Sequence, residues 1–274
     1  LPPDAGTHLP EGLAPVGMPR PDPRKPCGRA PRYWRWRFFE QWLLDPRDRP
    51  VTFADLGHNG PTPEARMHVG IRPDTRTADE ERGALFQTRG LEFAYAPGRQ
   101  RLAGVRRLGL AVATEATNLK PGIGPLGGER RLVFWRPSRK TLPRMPDGLK
   151  EKIVAHRHCR LILLTPAHFK AGWKPARLLE PREGVAPSLR AVALHRPQVV
   201  SGWDFDGRRP KPTRLLAPAG TVFFLKLEGD SQAIENWIDD VWMYCVSDEE
   251  QDRRDGFGLA VLGMWDGQIH RMEV

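Results

Sequence analysis

The chain has 274 residues, 39% of them hydrophobic and 28% charged, which suits about two ordinary domains with cores of their own. No apolar run approaches the roughly 20 residues that span a bilayer, and the opening LPPDAGTHLPEG has neither the basic start nor the apolar stretch of a signal peptide. A cytoplasmic protein without membrane contact is therefore expected, and a net charge of +10 with a pI of about 10.0 points to a polyanionic partner.

The first 32 residues, rich in Pro, Gly and Arg, read as an extended connector. In YWRWRFFEQWLL (Tyr33 to Leu44), Trp34, Phe38 and Trp42 recur at i, i+4 and i+8, the spacing of a helical apolar stripe. Core packing is the expected role of that stripe, and a base-stacking platform is the alternative. Residues 1–50 thus form a connector plus an aromatic helix. Residues 51–150 and 151–274 are expected to be two further units.

From Val51 the pattern turns to short strands and glycine-marked loops. MHVGI (Met67 to Ile71), GLEFAY (Gly90 to Tyr95), LGLAVA (Leu108 to Ala113) and RRLVFW (Arg130 to Trp135) read as strands. CRLILLT (Cys159 to Thr165), SLRAVAL (Ser188 to Leu194), TVFFLKLE (Thr221 to Glu228) and Gly258 to Leu262 continue the series. The third of these alternates, with Phe223, Leu225 and Leu227 on one face. Before the last strand, Ile234, Trp237, Ile238, Val241, Trp242 and Cys245 follow helical spacing behind Asp230 or Ser231 as N-cap. Glu235, Asp239 and Asp240 fall off that stripe and are expected in solvent. Many strands with few long helices make an α+β protein, and its closing strand–helix–strand is compatible with half of a ferredoxin-like unit.

Charge is unevenly placed. Arg99 to Lys140 holds ten Lys/Arg and two acids, whereas Glu228 to Asp255 holds ten acids and two arginines. Arginine used only for surface solubility would not separate this way, so one face is expected to meet nucleic acid and another a protein neighbour.

Three segments are candidates for RNA contact. GPLGGERRLV sets Gly127 and Gly128 before Arg130 and Arg131, where a close backbone approach and forked donors suit a phosphate. SGWDFDGRRPKPTRLLAPAG carries Arg208, Arg209, Lys211 and Arg214 on a loop that Pro210, Pro212 and Pro218 hold extended. Its Trp203 either stacks a base or, the preferred expectation, anchors the loop in the core. DGFGLAVLGMWDG places Gly256 and Gly258 before an apolar strand, without the spacing or the following helix of a dinucleotide fingerprint.

Catalytic and metal motifs are not found. His156, His158, Cys159 and His168 meet no zinc spacing, and no Ser-His-Asp order, H-E-x-x-H or Walker loop occurs. No metal and no cofactor are called for. Cys27, Cys159 and Cys245 are too few and too far apart for a disulfide framework.

RMHVGIRPDTRTADEERGALFQTRGLEF (Arg66 to Phe93), LGGERRLV, SGWDFDGRRPKPTRLLAPAGTVFF and the late Gly-Phe-Gly-Leu-Ala form four ordered blocks. They resemble the RAMP-superfamily subunit three of type III-B CRISPR effector (Cmr) complexes. The resemblance implies tandem ferredoxin-like (RRM-like) folds with Pro/Gly-rich insertions. It also implies contact with the 5′ handle of CRISPR RNA, and docking onto the large polymerase-like subunit beside the backbone RAMP subunits. By the same resemblance Gly127, Gly128, Arg130, Arg131, Lys211, Arg214, Gly256 and Gly258 would lie beside RNA. Members begin with a strand and a Gly-Ala-Leu-Arg helix that this sequence does not show, so the first ferredoxin-like unit is expected to be incomplete. The function expected is non-catalytic RNA binding in antiviral defence. The alternatives are a metal-independent endoribonuclease, for which His68 and His58 are the candidate residues, and an Arg-rich scaffold that touches protein only.

Overall fold

Alternating side chains along Val222–Glu228 put Phe223, Leu225 and Leu227 fully out of solvent, and this strand lies inside the largest sheet. The computed structural model describes residues 9–17, 30–47, 50–79, 85–95, 106–127, 131–204 and 206–269. The chain is α+β. Its elements begin with β1 (Tyr33–Trp34), α1 (Trp36–Leu44), α2 (Phe53–Leu56), β2 (Gly57–His58), β3 (Thr62–Val69) and β4 (Leu85–Glu92). There follow β5 (Ala94–Tyr95), β6 (Arg106–Arg107), β7 (Gly122–Pro125), β8 (Leu132–Trp135), α3 (Leu149–His156) and β9 (His158–Leu163). The remainder comprises α4 (Ala176–Leu179), β10 (Ala186–Ala193), β11 (Gln198–Val200), β12 (Trp203–Asp204), β13 (Arg209–Pro210) and β14 (Arg214–Leu216). The last elements are β15 (Val222–Glu228), α5 (Ser231–Val241), α6 (Glu250–Arg254) and β16 (Ala260–Met264). Among the described residues no helix is long and apolar enough to cross a membrane.

Two compact units result. One takes Leu1–Cys27, Trp36–Pro50 and Pro143–Val274, the other Gly28–Arg35 and Val51–Leu142. The division falls at Pro143 rather than near residue 150, and the aromatic helix α1 belongs with the C-terminal sheet.

In that first unit, β10, β15, β9 and β16 lie side by side in that order, every pair antiparallel. One face of the sheet buries Cys159, Leu161, Leu163, Phe223, Leu225, Leu227, Ala260 and Leu262 against α3 and α5. Helix α5 presents Ile234, Trp237, Ile238 and Val241 to this core, and the Asp230 carboxylate caps it by accepting from the Ala233 N–H at 2.8 Å. Asp239 and Asp240 are exposed, as their positions off the stripe require, whereas Glu235, expected in solvent with them, is half-buried. The helix stops at Val241 instead of reaching Cys245. Trp242 turns extended, and Met243 and Val246 donate their N–H groups to Ala260 and Gly258, so the chain is drawn off the helix toward β16.

The other face buries Ile162 and Val261 under Leu43, with Trp36, Phe39 and Trp42 packed alongside. The stripe of α1 is therefore Trp36, Phe39 and Leu43 with Trp42, one register away from Trp34, Phe38 and Trp42. Trp34 precedes the helix in β1, and Phe38 lies under the Arg37 guanidinium at 4.6 Å. Arg160, on the same face of β9 as Ile162, joins helix to sheet. Its Nη2 donates to the Trp42 carbonyl at 2.8 Å, its Nε donates to the Met264 carbonyl at 2.9 Å, and its Cζ lies 4.0 Å from the Trp42 ring centroid. Burial lowers the guanidinium pKa to about 10, so it stays charged at neutral pH.

The second unit consists, among the described residues, of α2 and four antiparallel pairs: β1–β2, β3–β4, β5–β6 and β7–β8. No larger sheet joins them among those residues, so a ferredoxin-like sheet for residues 51–150 rests on the resemblance alone. The strand expected at Leu108 to Ala113 does not form. Leu108 donates to the Phe93 carbonyl and the residues after it find no ladder partner, leaving Leu110 and Val112 exposed. His156 and His158 are not strand-spaced either: His156 ends α3, His158 opens β9, and Arg157 between them is left-handed with φ 53°.

Arg160→Met removes the donors to the Trp42, Leu43 and Met264 carbonyls and is expected to lower unfolding free energy by about 2–4 kcal/mol. A Cβ on Gly263 would lie 3.0 Å from Arg160 Nη2 and 3.3 Å from Leu43 Cδ2. Gly263→Ala should therefore cost less, about 1 kcal/mol. Urea midpoints of the full chain measure both, and equal midpoints for Arg160→Met and wild type would remove the anchoring role.

Candidate nucleic-acid interface

The basic segment expected to be a proline-stiffened loop is a hairpin. Gln198–Val200 pairs with Arg214–Leu216 at its root, and Trp203–Asp204 pairs with Arg209–Pro210 near its tip. Between these ladders Lys211 donates its N–H to the Gly202 carbonyl at 2.8 Å, and Ser201 Oγ donates to the Lys211 carbonyl at 3.0 Å. At the turn, Gly207 donates to Asp204 Oδ1 at 3.0 Å and Arg208 adopts φ 47°. The backbone is thus held by cross-strand bonds, with the prolines a secondary restraint.

Arg208, Arg209 and Lys211 are all exposed at this tip. Trp203 is 50% exposed, so it does not anchor the hairpin in the core. It sits opposite Pro210, and strand alternation places Arg209 and Lys211 on the other face of the ribbon. The ring and the cations are separated by the thickness of one ribbon.

Arg214 behaves differently from its neighbours. Its Nη1 is 2.5 Å from Oδ1 of Asp252, whose other oxygen is 2.7 Å from His168 Nδ1. The Asp252 side chain is only 4% exposed, so a buried carboxylate ties the hairpin root to α6 and to the segment around His168. No sequence signal marks this group, because its members are 38 and 84 residues apart. The acidic run around it is largely used in the same manner. Asp248 accepts N–H groups from Lys170 and Arg177, Glu249 pairs with Lys170, Glu250 with Arg254, and Asp239 with Lys150. The Lys170 ammonium holds the Glu249 carboxyl below its usual range.

The glycine-rich stretch before β16 serves the fold. Gly258 is buried, its N–H donates to the Pro166 carbonyl at 2.8 Å, and a Cβ there would come within 2.8 Å of the Ser247 nitrogen. Gly256 is exposed with φ +84°, its N–H donated to Arg253 and its carbonyl accepting from Thr165 Oγ1. Both positions need glycine for backbone conformation, and neither has a free N–H for an anion.

In the second unit Gly127 is exposed with φ +74° and open space around it. Gly128 and Arg130 lie outside the described residues. Arg131 lies flat against the backbone of β4: a Cβ on Gly90 would collide with its guanidinium, and its Nη1 is 3.5 Å from Glu64 Oε2. Glu64 and Gly90 are cross-strand partners in β3–β4, so the missing side chain of Gly90 makes the seat for Arg131. Arg66 Nε, 2.9 Å from the other Glu64 oxygen, holds the carboxyl below its usual range together with Arg131.

The two histidines considered for catalysis are engaged locally. His68 Nε2 is 2.9 Å from Thr88 Oγ1 and its ring stacks on Phe86. His58 accepts the Gly60 N–H at its Nδ1 and stacks on Tyr33. His168 is held at Nδ1 by the buried Asp252, and it was not among the residues considered for catalysis. Among the described residues, no three His, Cys, Asp or Glu side chains gather in a way that would hold a metal ion.

Comparison with known proteins adds one finding. The family described as CRISPR-associated protein (Cas_Cmr3) matches residues 2–265. No match was found among curated proteins. The family match runs through both units and through every block named above, including the hairpin and the glycine stretch before β16. The chain therefore belongs to the CRISPR-associated Cmr3 family and is a CRISPR-associated Cmr subunit.

Proposed function

We propose that the chain is a non-catalytic, RNA-binding subunit of a type III-B CRISPR ribonucleoprotein. In this reading it holds the 5′ handle of the CRISPR RNA, docks to the large polymerase-like subunit beside the backbone RAMP subunits, and works in the cytoplasm in antiviral defence. The observation that carries it is the hairpin tip, where Arg208, Arg209 and Lys211 stand exposed around a half-exposed Trp203. Phosphates meet the cations on one face of the ribbon. A base from a strand kinked around the tip stacks on the indole of the other, a contact worth about 1–3 kcal/mol.

The sheet supports the same assignment by exclusion. Its succession β9–α4–β10–β15–α5–β16, with antiparallel order β10-β15-β9-β16, fits a ferredoxin-like unit. RRM-type proteins of that shape stack bases on the sheet face opposite the helices. Here that face is covered by α1 on Ile162 and Val261. Near its other end Trp265 packs edge-on against both His158 and Phe224. RNA is left to the projecting hairpin.

Replacing Arg208, Arg209 and Lys211 together by Ala should weaken handle RNA and lower the slope of log affinity against log salt by about two. Folding should be unchanged, since exposed substitutions typically shift stability by about 0.5 kcal/mol or less. Arg214→Ala, which strands Asp252, should instead lower stability by about 1–3 kcal/mol. An unchanged salt slope in the folded triple variant would move the RNA site to the neighbourhood of Gly127.

The His168–Asp252 contact gives the endoribonuclease alternative its one structural support, since a carboxylate on Nδ1 leaves Nε2 to take a proton from a 2′-hydroxyl. Under the non-catalytic reading, the wild-type chain leaves repeat RNA intact over hours with or without divalent metal, and so do His68→Ala and His168→Ala. Site-specific cleavage lost only in His168→Ala would overturn it.

A further inference from the structure

The β7–β8 ribbon has two unlike faces. Gly122 pairs with Trp135 and Gly124 with Val133 on one, and the Trp135 indole lies 3.1 Å from where a Gly124 Cβ would be. On the other face Ile123 pairs with Phe134 and Pro125 with Leu132. All four of these side chains are exposed: Ile123 73%, Leu132 67% and Phe134 65%, with Pro125 beside them. Among the described residues the ribbon has no third strand and stands as a pair of its own. An isolated two-stranded ribbon is marginal in water, and an apolar face of this kind signals an interaction surface.

We propose that this face docks a protein neighbour whose own apolar strip is rimmed with carboxylates. The proposal rests on the reading of the chain as part of a multi-subunit complex, and names the docking surface. Charge decides the occupant. Lys120 and Arg136 stand exposed beside the open end of the ribbon, next to the Gly122–Trp135 pair, so an approaching surface meets cations at that end of the apolar strip. The unit that carries the ribbon holds 18 Lys/Arg against 9 Asp/Glu, a net +9 of the chain's +10. A second copy would bring the same positive field to the contact and be repelled, whereas a neighbour with an acidic rim is attracted. RNA would also be attracted, but Phe134 is the one stacking ring on this face, Ile123, Pro125 and Leu132 around it offer none, and no side chain of the four carries a hydrogen-bond donor for a phosphate. The apolar centre and the basic rim together match the anatomy of a protein–protein contact.

The test uses the full chain and the other protein subunits of its own complex, each purified and mixed with it in the absence of RNA. Wild type should bind one of them, more weakly as salt is raised. Ile123→Asp with Phe134→Asp should weaken that binding about tenfold or more, as expected for central apolar contacts. The melting temperature and the handle-RNA affinity of the isolated variant should match wild type. If the double variant is unstable, Phe134→Ser alone serves, with a smaller loss in the same direction. Three results would overturn the proposal: equal binding of wild type and variant to every subunit, loss of RNA affinity in the isolated variant, or a wild-type dimer that the variant dissociates. Because no RNA is present in the binding arm, a failure of the hairpin to bind the handle leaves this measurement intact.

Discussion

A single buried cation, Arg160, sets the arrangement of the C-terminal unit. Helix α1 ends against the sheet, and the carbonyls of a helix's last turn have no donors of their own. Each is claimed here: Gln41 by the Asp45 N–H, Trp42 and Leu43 by Arg160, and Leu44 by Lys152. A cation at a helix C-terminus is also favoured by the helix dipole. The guanidinium fits because its cross-strand partner in β16 is Gly263, whose missing Cβ leaves room for it. That fit helps to hold α1 over Ile162 and Val261.

Closing this face bears on the proposed contact with nucleic acid. A sheet covered by helices on one side and by α1 and Trp265 on the other has no broad platform left for bases. Under the proposed function, the exposed hairpin takes the place of that platform. The unit built of ribbons carries nearly the whole net charge, while the unit with the packed sheet is close to neutral, its acids nearly matching its lysines and arginines in number and several of them paired with those residues. The sequence-level contrast between a basic and an acidic segment therefore becomes a contrast between units, with the acidic segment serving internal cohesion.

Periodicity made part of this legible. The alternation of Phe223, Leu225 and Leu227 and the helical spacing of Ile234, Trp237, Ile238 and Val241 each report a one-sided environment, which a linear pattern encodes directly. Asp230 was readable because capping is local. The hairpin was not, since ladders of two and three residues give no periodic signal and its prolines and glycines read as loop. Arg214, Arg131 and Arg160 were not separable from the surface arginines either. What distinguishes them is a partner 38, 67 or more than 100 residues away. For the same reason Gly90 and Gly263 read as ordinary strand glycines, although each makes room for an arginine.

In the proposed function, an internal charge pair serves an external site on the hairpin. Ladders as short as Gln198–Val200 with Arg214–Leu216 do not hold a ribbon upright in water unaided. Asp252, buried and positioned by His168, takes hold of the root through Arg214. That contact consumes one of the four cations that the sequence offers to RNA, and the other three gain a fixed base from which to project. A strand held this way meets its ligand with less ordering left to do, and reduced ordering raises affinity without adding a contact. Under the proposed function Arg214 is in this sense a positioning residue, whose influence on RNA would run through the orientation of Arg208, Arg209 and Lys211.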